Sequence, residues 1–172
     1  PGGNTSRNEK DLHAIPQLFY TYSPGENPFS FGLGVYSPFG LSSAWPDDSG
    51  FRTVATEGRL SYFTVNPVVA WKISPQLSIA AGLTVNYADM DLRQGLVWPT
   101  QPFDGFQIKG DGWDVGYNLG LLWQVHEKVS IGATFRSTTT VNLEGHAEYF
   151  NDVAIPGILP AFPKQRVGAQ AD

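Results

Sequence analysis

Two pairs of carboxylates, Asp47-Asp48 and Asp111 with Asp114, and three histidines, His13, His126 and His146, are the residues whose types suit proton transfer or metal binding. Paired carboxylates serve acid–base catalysis or calcium, and histidines serve zinc. Their placement argues for neither. The histidines fall on a terminus, a turn and a loop, and no ligand spacing recurs among them. Asp47-Asp48 sits in a loop-like stretch where solvation accounts for the charge, and Asp114 alternates with apolar neighbours and points away from them. Gly32-Leu33-Gly34 lacks the strand-then-helix context of a phosphate loop. With no cysteine there is no disulfide framework and no thiolate site. The chain is expected to be no enzyme and to hold no metal or cofactor.

Binding is the chemistry that remains. Trp45, Leu96, Val97, Trp98, Phe103 and Phe106 fall in two long loop-like stretches, and Ile155, Ile158, Leu159 and Phe162 fall in a third. Loops facing water carry so many large apolar groups when they pack on one another or bind something. A hydrophobic capture groove is the functional reading, and loops folded over each other are the bland one. A long acyl chain gains about 0.8 kcal/mol per buried CH₂ and needs no specific polar partner. Lys109 and Arg93 are the cations placed to hold a carboxylate.

The elements that position these loops are strands. Trp113, Val115, Tyr117, Leu119, Leu121 and Trp123 alternate with Asp114, Gly116, Asn118, Gly120 and Leu122. Period two puts one greasy face against one small or polar face. Ten strand steps at about 3.4 Å, tilted about 45°, rise roughly 24 Å, which matches the ~25 Å apolar band of an outer-membrane barrel. Similar alternation runs through 77–87, 129–136, 63–73 and 29–36, and less cleanly through 15–22, about six strands in all. Pro67 lies inside one of them, removes a ladder donor and predicts a bulge. Short connections at 23–28, 74–76 and 126–128 alternate with long ones at 40–57, 93–107 and 144–170. Barrels have short periplasmic turns and long extracellular loops. Tyr87 and Trp113 then lie at the outer membrane interface and Trp71 and Trp123 at the inner one, where aromatics belong.

Bulk composition agrees. Charged residues are 16% of the 172, against about 25% in an ordinary globular chain. A net charge of −5 argues against a nucleic-acid partner. No run of 18 apolar residues encodes a transmembrane helix, which leaves a β-barrel open. The chain starts at Pro1, has Met90 as its single methionine and ends within a loop-like stretch, so it is expected to be the interior of a longer protein. A soluble β-sandwich binding module also alternates, but its polar face would carry many charges. The 77–87 strand has none and the 113–123 strand has only Asp114. A general polar porin is the other alternative, and it predicts opposed charge clusters across a wide lumen.

In order along the chain, several segments resemble the FadL/TodX family of outer-membrane transporters for long-chain fatty acids and aromatic hydrocarbons. They are Phe31-Gly-Leu-Gly-Val-Tyr-Ser-Pro-Phe-Gly-Leu41, Asn66-Pro-Val-Val-Ala-Trp-Lys72, Leu77-Ser-Ile-Ala-Ala-Gly-Leu83 with Tyr87-Ala88, Gly110-Asp-Gly-Trp-Asp-Val-Gly-Tyr-Asn-Leu-Gly-Leu-Leu-Trp123 and Ile131-Gly-Ala-Thr-Phe-Arg-Ser137. Glu144-Gly-His146 and Ile155-Pro-Gly-Ile158 complete the set.

The resemblance implies an all-β, antiparallel transmembrane barrel of fourteen strands in the bacterial outer membrane. Residues 1–172 would form part of it, without the N-terminal hatch or the other strands. It implies passive transport of hydrophobic molecules, foremost long-chain fatty acids, with outer-membrane lipid or detergent around the barrel. Trp45, Trp98, Phe103, Phe106, Ile155, Ile158, Leu159 and Phe162 would bind substrate. Ser37, Pro38, Phe39 and Gly40 form the second site of interest, because Pro38 cannot donate and Gly40 adds slack, so the strand should kink or end there. In the similar family a kink in the corresponding strand opens the wall sideways.

Overall fold

The computed structural model describes residues 15–96, 104–151 and 161–171. Among the described residues, nine antiparallel strands build one sheet: β1(Gln17–Tyr22), β2(Phe29–Tyr36), β3(Gly40–Ala44), β4(Glu57–Lys72), β5(Leu77–Gln94), β6(Asp104–His126), β7(Val129–Arg136), β8(Leu143–Asn151) and β9(Phe162–Ala171). The order is β1-β2-β4-β5-β6-β8-β9, with β3 also on β4 and β7 also on β6. Since β2 and β3 share one partner, and β7 and β8 another, the sheet is an up-and-down array of seven staves, two of them interrupted. The sequence pattern predicts about six, because β9 falls in a stretch read as loop.

Burial is inverted relative to a water-soluble protein. Trp113 is 66% exposed and Val115 64%, while the polar Thr64 and Thr84 are 3% and 2% exposed. Ala88 is the one buried hydrophobic side chain among the described residues. Large apolar groups on an open face need an apolar surrounding, and a bilayer provides it. Aromatic pairs close the apolar band: Tyr87 and Trp113 have ring centroids 4.7 Å apart at one end, Phe29 and Trp71 6.0 Å at the other.

Hydrogen bonds between strands hold the polar face. Thr64 Oγ1 donates to Asn86 Oδ1 at 2.9 Å, and Asn118 Nδ2 donates to Asn66 Oδ1 at 3.0 Å. The second bond crosses the intervening strand β5 above Gly82. A Cβ there would stand 2.5 Å from Asn118 Oδ1, 2.7 Å from Val68 Cγ2 and 2.9 Å from the Pro67 carbonyl oxygen. Gly82→Val is therefore expected to separate the asparagines and to destabilise the barrel by about 1–3 kcal/mol, measured as a lower urea midpoint in vesicles.

Two features differ from the sequence expectations. Pro67 makes no bulge, because the β4–β5 register is the same at Val65↔Val85 and Val68↔Gly82. Asn66 Nδ2 donates to the Leu83 carbonyl at 2.6 Å and supplies the donor that the proline lacks. The long connections are also shorter than expected. Strands β4, β5 and β6 run on past the outer aromatics, and 144–170 contains most of β8 and β9. In this extension the side that was apolar becomes charged, with Arg59–Asp89 at 3.0 Å and Lys109–Asp91 at 3.4 Å.

Candidate functional site

Two interruptions in the wall and the loop segments above them make up the candidate site. The first lies between β2 and β3. Four residue steps from Tyr36 to Gly40 face three on β4, from Thr64 to Ser61, so one extra residue is accommodated. Pro38 has no N–H to offer β4. Ser37 Oγ donates to the Tyr62 carbonyl at 2.6 Å, and the Phe39 ring tilts over Tyr62 with centroids 4.7 Å apart. The strand ends where Ser37, Pro38, Phe39 and Gly40 predict a break.

A second interruption, between β7 and β8, is one that sequence reasoning missed. Eight steps from Arg136 to Glu144 face seven on β6, from Asn118 to Asp111. Ser137 N donates to the Tyr117 carbonyl at 2.9 Å, and Ser137 Oγ accepts from Tyr117 N at 2.9 Å. Farther on, Thr140 N donates to Asp114 Oδ2 at 2.8 Å, which gives Asp114 a structural role. The segment turns onto the polar face over Gly116, where a Cβ would stand 2.7 Å from both Ser137 Oγ and Thr139 Cγ2. Tyr62 Oη lies 3.5 Å from Thr139 Oγ1 and so links the two interruptions. The register Tyr62↔Ala88↔Gly112 puts both at one height, level with the outer aromatics.

Above them, residues 45–56 fold back on the sheet. Trp45 meets Phe51 edge to face, with centroids 5.1 Å apart. Arg52 forms a buried ion pair with Asp104, at 2.7 Å with both side chains at most 2% exposed, and donates to the Asp104 and Asp47 carbonyls. The pair joins the first long connection to the start of β6. Phe106 belongs to β6 rather than a loop, and Phe162 opens β9 opposite Asn151. Trp98, Phe103, Ile155, Ile158 and Leu159 lie outside the described residues, as does Val97. The cations foreseen for a carboxylate already face carboxylates, Lys109 facing Asp91 and Arg93 lying 3.9 Å from Asp47.

Charge gathers on the outer parts of β8 and β9. Lys164 donates a hydrogen bond to Glu148, and the charges of Lys164, His146 and Arg166 add to it, so Glu148 stays below the ordinary carboxylate value despite the opposing effect of burial. Its ionised form is held down to a lower pH than a free glutamate would allow. Among the described residues no cluster of histidine and carboxylate side chains is arranged to hold a metal ion.

Comparison with known proteins fits this architecture. The profile of the family described as outer membrane protein transport protein (OMPP1/FadL/TodX) matches residues 2–172. An outer membrane protein of Neisseria meningitidis is 29% identical over 162 residues, covering 81% of this chain and 34% of that protein. The long-chain fatty acid transport protein of Escherichia coli is 21% identical over 155 residues, covering 76% of this chain and 34% of its own length. The chain thus spans about a third of the length of these relatives. Among solved structures, a Pseudomonas aeruginosa FadL homologue superposes with a TM-score of 0.73 at 18% identity, covering 91% of this chain and 42% of that one. The Ralstonia pickettii toluene transporter TbuX superposes with a TM-score of 0.65 at 20% identity, covering 90% and 45%. The match over nearly the whole chain, on a sheet of alternating staves closed by aromatics, places this protein in the OMPP1/FadL/TodX family of the bacterial outer membrane.

Proposed function

We propose that this chain forms part of a passive route for hydrophobic molecules across the outer membrane, with long-chain fatty acids as its main cargo. The family match carries the reading, and the inverted burial supports it. One relative is named for long-chain fatty acid transport and one structural neighbour for toluene, so the class of cargo is apolar and aromatic hydrocarbons are the competing choice. Trp45, Trp98, Phe103, Phe106, Ile155, Ile158, Leu159 and Phe162 capture the cargo outside the membrane, where each buried CH₂ adds about 0.8 kcal/mol. Release runs through the wall near Ser37, Pro38, Phe39 and Gly40, where the β2–β3 stave is interrupted. A polar porin fits less well, because the ion pairs Arg59–Asp89 and Lys109–Asp91 sit on the outer side above the aromatics and do not oppose one another across a lumen.

The test is uptake of labelled oleate, with toluene alongside, by cells lacking their own transporter and carrying the gene that encodes this chain. Oleate uptake is expected, and Trp98→Asp with Phe103→Asp should lower it about tenfold or more, since two aromatic contacts are each exchanged for a solvated charge. Toluene uptake without oleate would change the cargo and keep the route. Uptake of neither by an inserted barrel would end the transport reading.

A further inference from the structure

Above the outer aromatics, the side that faces lipid lower down carries a groove of 850 Å³ over β6, β8 and β9, lined by Asp111, Trp113, Glu144, His146, Arg166 and Gly168 among others. The register sets these residues in tiers. Trp113 ends the apolar band; Tyr87 flanks it from β5, and the groove opens on its β8 side. Asp111, two residues or about 7 Å farther out, faces Glu144 across the β6–β8 pairing. Next out, His146 faces Gly168, and beyond them Glu148 faces Arg166. Arg166 Nη2 donates to His146 Nδ1 at 2.9 Å, which fixes the guanidinium at the upper rim. A guanidinium has five N–H donors, so others remain for a ligand. Gly168 keeps the middle open, because a Cβ there would meet no heavy atom within 4 Å.

We propose that this groove binds the sugar head group of a membrane glycolipid, whose acyl chains lie on the apolar face below. Place and charge select that occupant. The groove opens on the lipid-facing side and begins at the aromatic tier, where a bilayer changes from hydrocarbon to head groups. A pyranose presents a face of C–H groups that packs on the negative face of an indole, and Trp113 supplies one. Ionised carboxylates only accept, so Asp111 and Glu144 take sugar hydroxyls in charge-assisted hydrogen bonds. The same two carboxylates repel the phosphate of an ordinary anionic phospholipid, which would reach their tier before it reached Arg166. An acidic substituent on the sugar is received higher up, by Arg166. The site belongs to the outer wall of the barrel and holds whatever the lumen carries.

Native mass spectrometry of the full-length detergent-solubilised barrel tests the site, with folding checked by heat-modifiable migration. The probes are lipid A, its deacylated glucosamine disaccharide and dioleoylphosphatidylglycerol. Wild type should retain lipid A about tenfold or more better than either of the others. Gly168→Trp fills the groove where the backbone leaves room, and should bring lipid A down to the level of phosphatidylglycerol without moving the urea midpoint. Asp111→Asn with Glu144→Gln should weaken lipid A about tenfold and strengthen phosphatidylglycerol, because the bonds to hydroxyls lose their charge and the repulsion of phosphate goes with it. That opposite movement reads the site even if the tryptophan variant fails to fold. Equal retention of the two lipids by the wild type, or a lipid A preference that survives both variants, overturns the site. Disaccharide bound as tightly as lipid A overturns the glycolipid and assigns the groove to a soluble sugar.

Discussion

Leu119→Arg should strongly destabilise the barrel in a bilayer. Leu119 stands about midway between Trp113 and Trp123 on the apolar side of β6, 48% exposed and opposite Ala81. An arginine on the lipid face at the midplane costs about 2–4 kcal/mol, and the cost falls to about 0–1 near the interfaces. That is a large fraction of a stability of about 5–15 kcal/mol. Two controls separate lipid from general disruption. Val129→Arg lies on the same side beyond the inner aromatics and should cost little. Thr134→Arg, opposite Gly120 on the polar side, brings the same charge to nearly the same height without meeting lipid. The measurement is the urea unfolding midpoint in vesicles together with the fraction showing heat-modifiable migration. A soluble sandwich would show no such dependence on depth, because a core has no interface at its two ends. Equal effects of all three arginines would remove the argument for a membrane band.

The staves within the band are legible in the sequence because lipid on one side and lumen on the other impose a strict period of two. Legibility ends at Tyr87 and Trp113 for a physical reason. Above them the outer side meets water, so Asp89, Asp91 and Arg93 occupy the phase held below by Leu83, Val85 and Tyr87, while Met90 and Leu92 move to the opposite phase. The apolar pattern inverts although the strand continues, and a reading that follows greasy residues stops one turn of chemistry too early. The β8 and β9 segments lie wholly above the band and are missed for the same reason.

The site is unevenly legible too. Pro38 announces the first interruption because a proline cannot donate to β4. The second has no such marker in Ser137-Thr138-Thr139-Thr140, and its signal is on the partner strand, where Gly112 and Gly116 leave space for the incoming segment. That signal can be read only once the register is known.

Arg52→Ala should release residues 45–56 from the sheet and lower uptake while the membrane band keeps its stability. Arg52 and Asp104 are 52 positions apart in the chain, and nothing in either neighbourhood announces their pairing. Their side chains are 2% and 0% exposed. Removing one partner of a buried pair leaves the other charge without compensation and typically costs about 3–5 kcal/mol. That cost falls locally, because the remaining anchors of the segment to the sheet are few: Gly95 N to the Arg52 carbonyl, Thr56 N to the Arg93 carbonyl and the pair of Arg93 with Asp47 at 3.9 Å. Gly95 belongs to the same device, since any side chain there would overlap the guanidinium. Release of the segment would also part Trp45 from the proposed capture surface. Limited proteolysis on intact cells should therefore cut 45–56 in the variant and spare it in the wild type, with oleate uptake reduced and the urea midpoint of the barrel nearly unchanged. Replacing both partners, Arg52→Met with Asp104→Leu, removes the stranded charge and should restore much of the protease resistance, as apolar replacements of buried pairs often do. If Arg52→Ala resists protease as well as the wild type, the ion pair does not fasten the loop, and its other ties to the sheet, the two backbone bonds and the Arg93–Asp47 pair among them, are sufficient.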